Sequence, residues 1–306
     1  MRHGRSFPLA LALASLVGGS ARGEEPTSAA AEEPIEEVSA AEVHVAGPPS
    51  LFGESYPGID RGVSLPLPSP VRRGAMVLVV DHRTNKPFTE NTWHDYFGFD
   101  AGALKIGLGL RFGLLDGLDV GIYRLNSATE RFDVYQWDAR YRLLRQKRHL
   151  LDLALVAGLT WFSQQDAEDA VGGLGQLLLA RRLWERLTLA SGLLFHSDST
   201  NGVKSADDTD WSLAAMLIVD VRVLAWLSWN VEASYGVAGY ATRDKAGLTG
   251  WPSFSSSVRF ITHRHTFALV LTNNPYTSAD GQVCNSPRGF DKLVVGFTIT
   301  RQWNLW

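Results

Sequence analysis

LLDLALVAGLTWF, residues 150–162, is almost unbroken apolar chain, and its length alone would suit a buried core helix. A membrane-spanning helix needs roughly 20 such residues, so this stretch is too short to be one. The pattern inside it points elsewhere. Leu151, Leu153, Leu155, Ala157, Leu159 and Trp161 take alternate positions and include the largest groups; Asp152, Ala154, Val156, Gly158, Thr160 and Phe162 between them are mostly small or polar. A period of two marks a β-strand with one apolar face and one face that accepts Asp, Gly and Thr. If the apolar face meets lipid, the chain is an outer-membrane barrel; if it meets a protein core, a soluble sandwich.

The neighbouring chain separates the two. From Gly74 onward, apolar segments of about ten residues alternate with polar or Gly-containing breaks, the texture of a transmembrane barrel. Strands are predicted over 75–82, 102–112, 118–126, 131–144, 149–163, 174–184, 187–197, 210–224, 228–240, 252–263, 265–273 and 290–303. Short connections fall near Asp116-Gly117, Gln146-Lys147, Glu185-Arg186, Ala225-Trp226 and Arg264; longer ones run over 83–101, 164–173, 198–209, 241–251 and 274–289, with 127–130 as a brief exception. Short periplasmic turns and longer external loops produce this alternation, and an even strand number returns both ends to the periplasm. The aromatic residues agree. Tyr141, Trp184, Trp226, Trp229, Phe260 and Trp303 lie near the short-turn ends; Trp161, Phe195, Trp211, Tyr240, Trp251, Phe254 and Phe290 lie near the long-loop ends. Two such belts match the interfacial girdles of membrane barrels. The fold class is therefore all-β: a transmembrane antiparallel up-and-down β-barrel of about twelve strands.

The alternation also assigns faces. On 210–224, Trp211, Leu213, Ala215, Leu217, Val219, Val221 and Val223 point outward, with Ser212, Asp220 and Arg222 inward. On 131–144, Val134, Gln136, Asp138, Arg140 and Arg142 point inward, against Tyr135, Trp137, Ala139 and Tyr141. On the last strand Leu293, Val295, Phe297 and Ile299 face out and Lys292, Gly296, Thr298 and Thr300 face in. Arg181 falls on the outward face, near a strand end from which it can snorkel to the interface.

The 306 residues, 45% hydrophobic and 20% charged with a formal net charge of -3, give no support for nucleic acid as a partner. Cys284 is the only cysteine, which excludes an intramolecular disulfide and a cysteine metal cluster. Arg2 and Arg5, the apolar run 9–17 and Ala21-Arg22-Gly23 read as a cleaved signal peptide over 1–23. Residues 24–72 carry Glu24, Glu25, Glu32, Glu33, Glu36 and Glu37 among Ala and Ser, then the proline-rich LPLPSPV at 65–71. So little apolar surface predicts a disordered acidic periplasmic arm, either a spacer or a docking site for a periplasmic partner. The barrel is assigned to 73–306.

A family resemblance rests on 96–146. Tyr96-Phe97-Gly98-Phe99-Asp100, then Asp119-Val120-Gly121-Ile122-Tyr123-Arg124, then Tyr141 to Gln146 follow the order FFGLD, xVGxxR and KxLRQ. With HTFALVLTNN and VVGFTITRQW near the end, the chain resembles, over roughly 75–303, a group of bacterial β-barrels known as the domain of unknown function 5777 family. The resemblance implies an outer-membrane barrel and carries over no catalytic residues.

Charged residues predicted to face the lumen are Arg111, Asp138, Arg140, Arg142, Asp152, Arg182, Asp220, Arg222, Glu232 and Arg259, most of them in the periplasmic half. Such charges must pair or stay hydrated. They form either an Arg–carboxylate network that braces and largely plugs the lower barrel, or a constriction that passes small, anion-leaning solutes. His196 with Ser197, Asp198, Ser199 and Asn201 is similar to the His-x-Ser-Asn run of some outer-membrane lipid hydrolases, but Asp198 stands where Ser is wanted and Ser197 should point away from His196. His263 and His265 flank a turn without a third ligand, His82, His94 and Asp95 suit an external cap, and Cys284 reads as a surface thiol. Nothing in the chain asks for a cofactor or a metal. The function expected is a non-enzymatic outer-membrane barrel in contact with lipid: a narrow solute channel, or alternatively a structural or partner-binding barrel.

Overall fold

A computed structural model describes residues 60–89, 104–126, 132–164, 169–184, 186–197, 211–239 and 250–306. Twelve strands form one closed antiparallel barrel in which each pairs with its sequence neighbours and the last returns to the first. They are β1 (Ala75–Thr84), β2 (Leu104–Leu115), β3 (Leu118–Leu125), β4 (Phe132–Leu144), β5 (Asp152–Gln164), β6 (Ala170–Leu183), β7 (Leu187–His196), β8 (Ser212–Leu224), β9 (Leu227–Gly239), β10 (Ser253–Ile261), β11 (His265–Thr272) and β12 (Val294–Asn304). Closure gives every strand two partners, which a lipid-immersed sheet requires because an open edge there would leave N–H and C=O groups unpaired. Every predicted strand is present. The largest boundary differences are at β12, which starts at Val294, and at β6, which starts at Ala170 and reduces the expected long loop 164–173 to 165–169. The β4–β5 connection, 145–151, is longer than that, so connection length sorts the two ends only in part.

The faces follow the alternation. Along β5, Leu155 and Leu159 are exposed to the lipid side, while Ala154, Val156, Thr160 and Phe162 are buried inside. On β8 each of Ser212, Ala214, Met216, Ile218, Asp220 and Arg222 is buried. Outside, the belts stack: Tyr135 on Trp161 at 5.1 Å and Phe195 near Trp211 at 6.4 Å toward the long loops, Trp226 near Phe260 at 6.2 Å toward the turns. Tyr240, expected in the upper belt, lies outside the described residues, as do His94, Asp95 and 198–201. Gly117, at φ 94, makes the tight β2–β3 turn possible, since a side chain is strained in that region.

Four expectations change. The boundary at 72/73 does not hold: residues 60–72 lie with the barrel, and Val63, Leu65, Leu67 and Val71 are buried within it. Prolines 66, 68 and 70 have no N–H to satisfy, and the N–H groups of Leu65, Leu67 and Val71 all find acceptors, so the segment can leave water at small cost. The β11–β12 connection, expected to be external, folds inward; its short helix α1 (Ala279–Val283) packs on β7, β8 and β9. Cys284 accompanies it and packs against the lumen's apolar cluster, so it is not a surface thiol. Lys292 precedes β12 and is exposed, not lumenal.

Candidate functional site: a lumen closed from both ends

Residues 60–67 form a tight hairpin inside the barrel. Gly62 N–H donates to the Leu65 carbonyl at 2.8 Å and Leu67 N–H to that of Asp60 at 2.9 Å. At its tip the Glu232 carboxylate, from the middle of β9, accepts three backbone N–H groups: Val63 at 2.9 Å, Ser64 at 2.7 Å and Leu65 at 3.3 Å. A concave run of N–H groups around one anion is a backbone nest. Gly62 is what allows the approach, because a Cβ there would stand 2.4 Å from Glu232 Oε2. Gly62→Ala should therefore unseat the tip: limited proteolysis of the folded barrel should cut near residues 60–67 at least several times faster than in the parent chain, and unchanged cleavage would refute the role given to Glu232.

Lower down, the hairpin's carbonyls are gripped by arginines. Arg140 on β4 donates from Nη1 to Asp60 O at 2.6 Å and Leu67 O at 2.7 Å, and from Nη2 to Asp119 Oδ2 at 2.6 Å. Asp119 on β3 also accepts Val71 N–H at 2.6 Å and Arg111 Nη1 at 2.5 Å, and Arg111 pairs with Asp138 through its other nitrogen. On the facing wall Arg259 pairs with Asp220, bonds Ser228 Oγ at 3.0 Å and reaches Arg61 O at 3.3 Å. Of the ten lumenal charges predicted, Arg111, Asp138 and Arg140 thus meet in one network, Asp220 and Arg259 in a second, and Glu232 holds the tip. The other four, Arg142, Asp152, Arg182 and Arg222, make contacts of their own. Asp152 accepts Gln146 N–H at 3.0 Å, and with Arg182 it lines a smaller recess beside Leu67, Pro68 and Asp220. Arg222 is buried and caps Ala225 O at 3.2 Å, and Arg142 is half-buried near the β2–β3 turn.

Asp60, Arg61, Asp81, Arg83, Lys105 and Asp119 were missed in sequence. For Asp81 and Arg83 the signal was available, since Ala75, Val77, Val79, Asp81 and Arg83 alternate with the outward set on β1. Asp81 bonds Arg61 Nη2 at 3.2 Å, Thr298 Oγ1 at 2.6 Å and the Tyr123 hydroxyl at 2.8 Å; that hydroxyl lies 2.5 Å from Thr277 Oγ1 of the inward-folded loop. Gln136 makes a parallel link, donating to Asp138 at 2.9 Å and accepting Ala279 N–H at 3.1 Å.

Between hairpin and loop is a cavity of about 100 Å³, bounded by Arg61, Ser64 and Leu65 on one side and Thr277, Ala279 and Gln282 on the other. Its lining is polar enough and its volume large enough to admit water. The remainder of the lower lumen on the β5–β8 side is apolar, with Leu65 and Leu67 packed among Val156, Leu174, Leu178, Leu194 and Ile218. His196 is buried in this interior, 3.0 Å from Thr160 Oγ1 and edge-on to Phe162, while the Ser197 hydroxyl accepts Gly173 N–H at 2.7 Å.

A family model described as a membrane-bound beta barrel domain matches residues 69–303. Among solved structures, the outer membrane protein Omp33 of Acinetobacter baumannii aligns at 7% identity over 76% of this chain and 98% of its own, with a TM-score of 0.42. An outer membrane channel of Pseudomonas putida F1 aligns at 14% identity over 77% and 98%, TM-score 0.47. The outer membrane phospholipase A of Escherichia coli aligns at 11% identity over 76% and 91%, TM-score 0.41. No curated protein sequence matches the chain.

Proposed function

The chain belongs to that family of membrane-bound beta barrel domains, DUF5777, and from this we propose that it is a narrow solute channel of the outer membrane held shut by its own N-terminal hairpin. The observation that carries the reading is the way the hairpin is held. Glu232, Arg140 and Arg259 hold its backbone, Arg140 and Asp81 pair with its Asp60 and Arg61 side chains, and Leu65 and Leu67 rest on the apolar wall, so the hairpin is a non-covalent plug inside a wall whose strands are complete without it. Withdrawal leaves twelve strands paired and clears the lower lumen. It also strips Arg140 of two carbonyl acceptors and Arg259 of one, leaving a basic lower ring that favours small anions. Export through a cleaved signal over 1–23 and a periplasmic partner drawing on the acidic stretch before residue 60 belong to the same reading. It is a non-enzymatic one: His196 faces the interior and Ser197 spends its hydroxyl on a neighbouring strand, so base and nucleophile are apart.

The test is electrical. In planar bilayers the full chain should show no unitary steps, and the chain lacking residues 60–71 should show small steps with a reversal potential shifted toward the anion in a salt gradient. A deletion protein that folds, as judged by its heat-dependent gel shift, yet passes no current would favour a purely structural or partner-binding barrel instead.

A further inference from the structure

The short-turn end of the barrel carries a charge pattern that the lumen does not explain. Arg73, Arg148, Arg181, Arg264 and Arg301 are all exposed there, and among the described residues Asp116 is the one exposed acid at this end. A chain with formal net charge -3 has thus gathered cations on one rim.

Two of these arginines are not on the aqueous rim. Arg181 lies on the outer face of β6, opposite exposed Leu189 and two residues from the strand's end. Arg301 lies on the outer face of β12, aligned with Leu78 on one side and His265 on the other, and its guanidinium sits 4.8 Å from the centroid of Trp303. Both side chains therefore project into the lipid annulus at the level of the lower aromatic belt, where Trp184 is 83% and Trp226 52% exposed. Arg181 has no acidic partner among the described residues. A guanidinium at that depth lowers its energy by reaching a headgroup phosphate, and its planar fork can bind two phosphate oxygens at once.

We propose that this rim is a binding surface for anionic phospholipid headgroups of the inner leaflet, with Arg181 and Arg301 as lipid-facing phosphate clamps and Arg148 and Arg264 adding charge from the turns. The position of the clamps on the outer strand faces favours a lipid over a soluble acidic partner, which could approach only the turns. Each basic residue near an anionic surface contributes about a fivefold gain in binding. The inference is independent of whether the lumen conducts.

The experiment uses the full chain in nanodiscs of phosphatidylcholine with one fifth phosphatidylglycerol, released and weighed by native mass spectrometry. The parent protein should retain phosphatidylglycerol at several times its share of the bilayer, R181Q/R301Q should fall to about that share, and R148Q/R264Q should fall part-way. No enrichment in the parent, or equal enrichment in R181Q/R301Q and the parent, would overturn the proposal. Enrichment that appears only after residues 24–59 are deleted would also overturn it, in favour of the chain's own acidic stretch as the occupant.

Discussion

Arg140→Ala should lower the stability of the folded barrel by about 3–5 kcal/mol, the range for removing one partner from a buried ion pair. Arg140 is 2% exposed, and its loss removes one of the two arginines on the buried carboxylate of Asp119 and the side-chain donor to the carbonyls of Asp60 and Leu67. Asp119 would keep Arg111 and Val71 N–H, so the effect should sit nearer the lower figure where those bonds tighten. Arg140→Lys should restore only a minor part, because an ammonium on a flexible stem cannot span two carbonyls and a carboxylate as a planar fork does. Urea titration of the protein in lipid vesicles reads the difference. A shift under about 0.5 kcal/mol, the ordinary range for surface substitutions, would mean the network is not stabilising.

The second large effect lies on the other side of the wall. Leu155→Arg places a charge on the lipid face near mid-strand and should cost about 2–4 kcal/mol of folding stability. The strand pattern alone predicts that its neighbour Val156, pointing inward, accepts charge more readily. The packing corrects this: Val156 is 6% exposed and lies in the apolar cluster that receives Leu65 and Leu67 of the hairpin. Val156→Arg should therefore also destabilise, by expelling the hairpin. The two are separated by background. In a chain lacking 60–71 the Val156→Arg penalty should largely vanish while the Leu155→Arg penalty stays. Equal behaviour in both backgrounds would contradict either the strand's orientation or the placement of the hairpin.

The strand period, the belts and the inward charges were legible because each repeats along a strand of known geometry. The inserts were not, for physical reasons that differ. LPLPSPV reads as spacer because it follows a long acidic stretch with little apolar surface, yet its leucines and its donor-free prolines let it enter the lumen. The apolar inward residues Val156, Leu178, Leu194 and Ile218 were visible in the sequence and out of place in a water-filled channel. They record that something apolar covers them, without naming what. Asp119 sits beside a turn, where face assignment is least secure, and its pairing with Arg140 depends on the β3–β4 register, which puts the two directly opposite. Arg61 could not be paired from sequence at all, since its partner Asp81 belongs to a strand it never joins by backbone.

Tyr123 gives the interior a property that neither insert has alone. Its hydroxyl joins Thr277 of the loop to Asp81, and Asp81 holds Arg61 of the hairpin. A buried bond left unmade costs about 1–3 kcal/mol, so removing one insert weakens the seat of the other. The two ends of the barrel are thereby thermodynamically linked across the bilayer. Each insert is therefore held more firmly when the other is seated. A displacement of Thr277 is then felt at Arg61, through a wall that itself need not move.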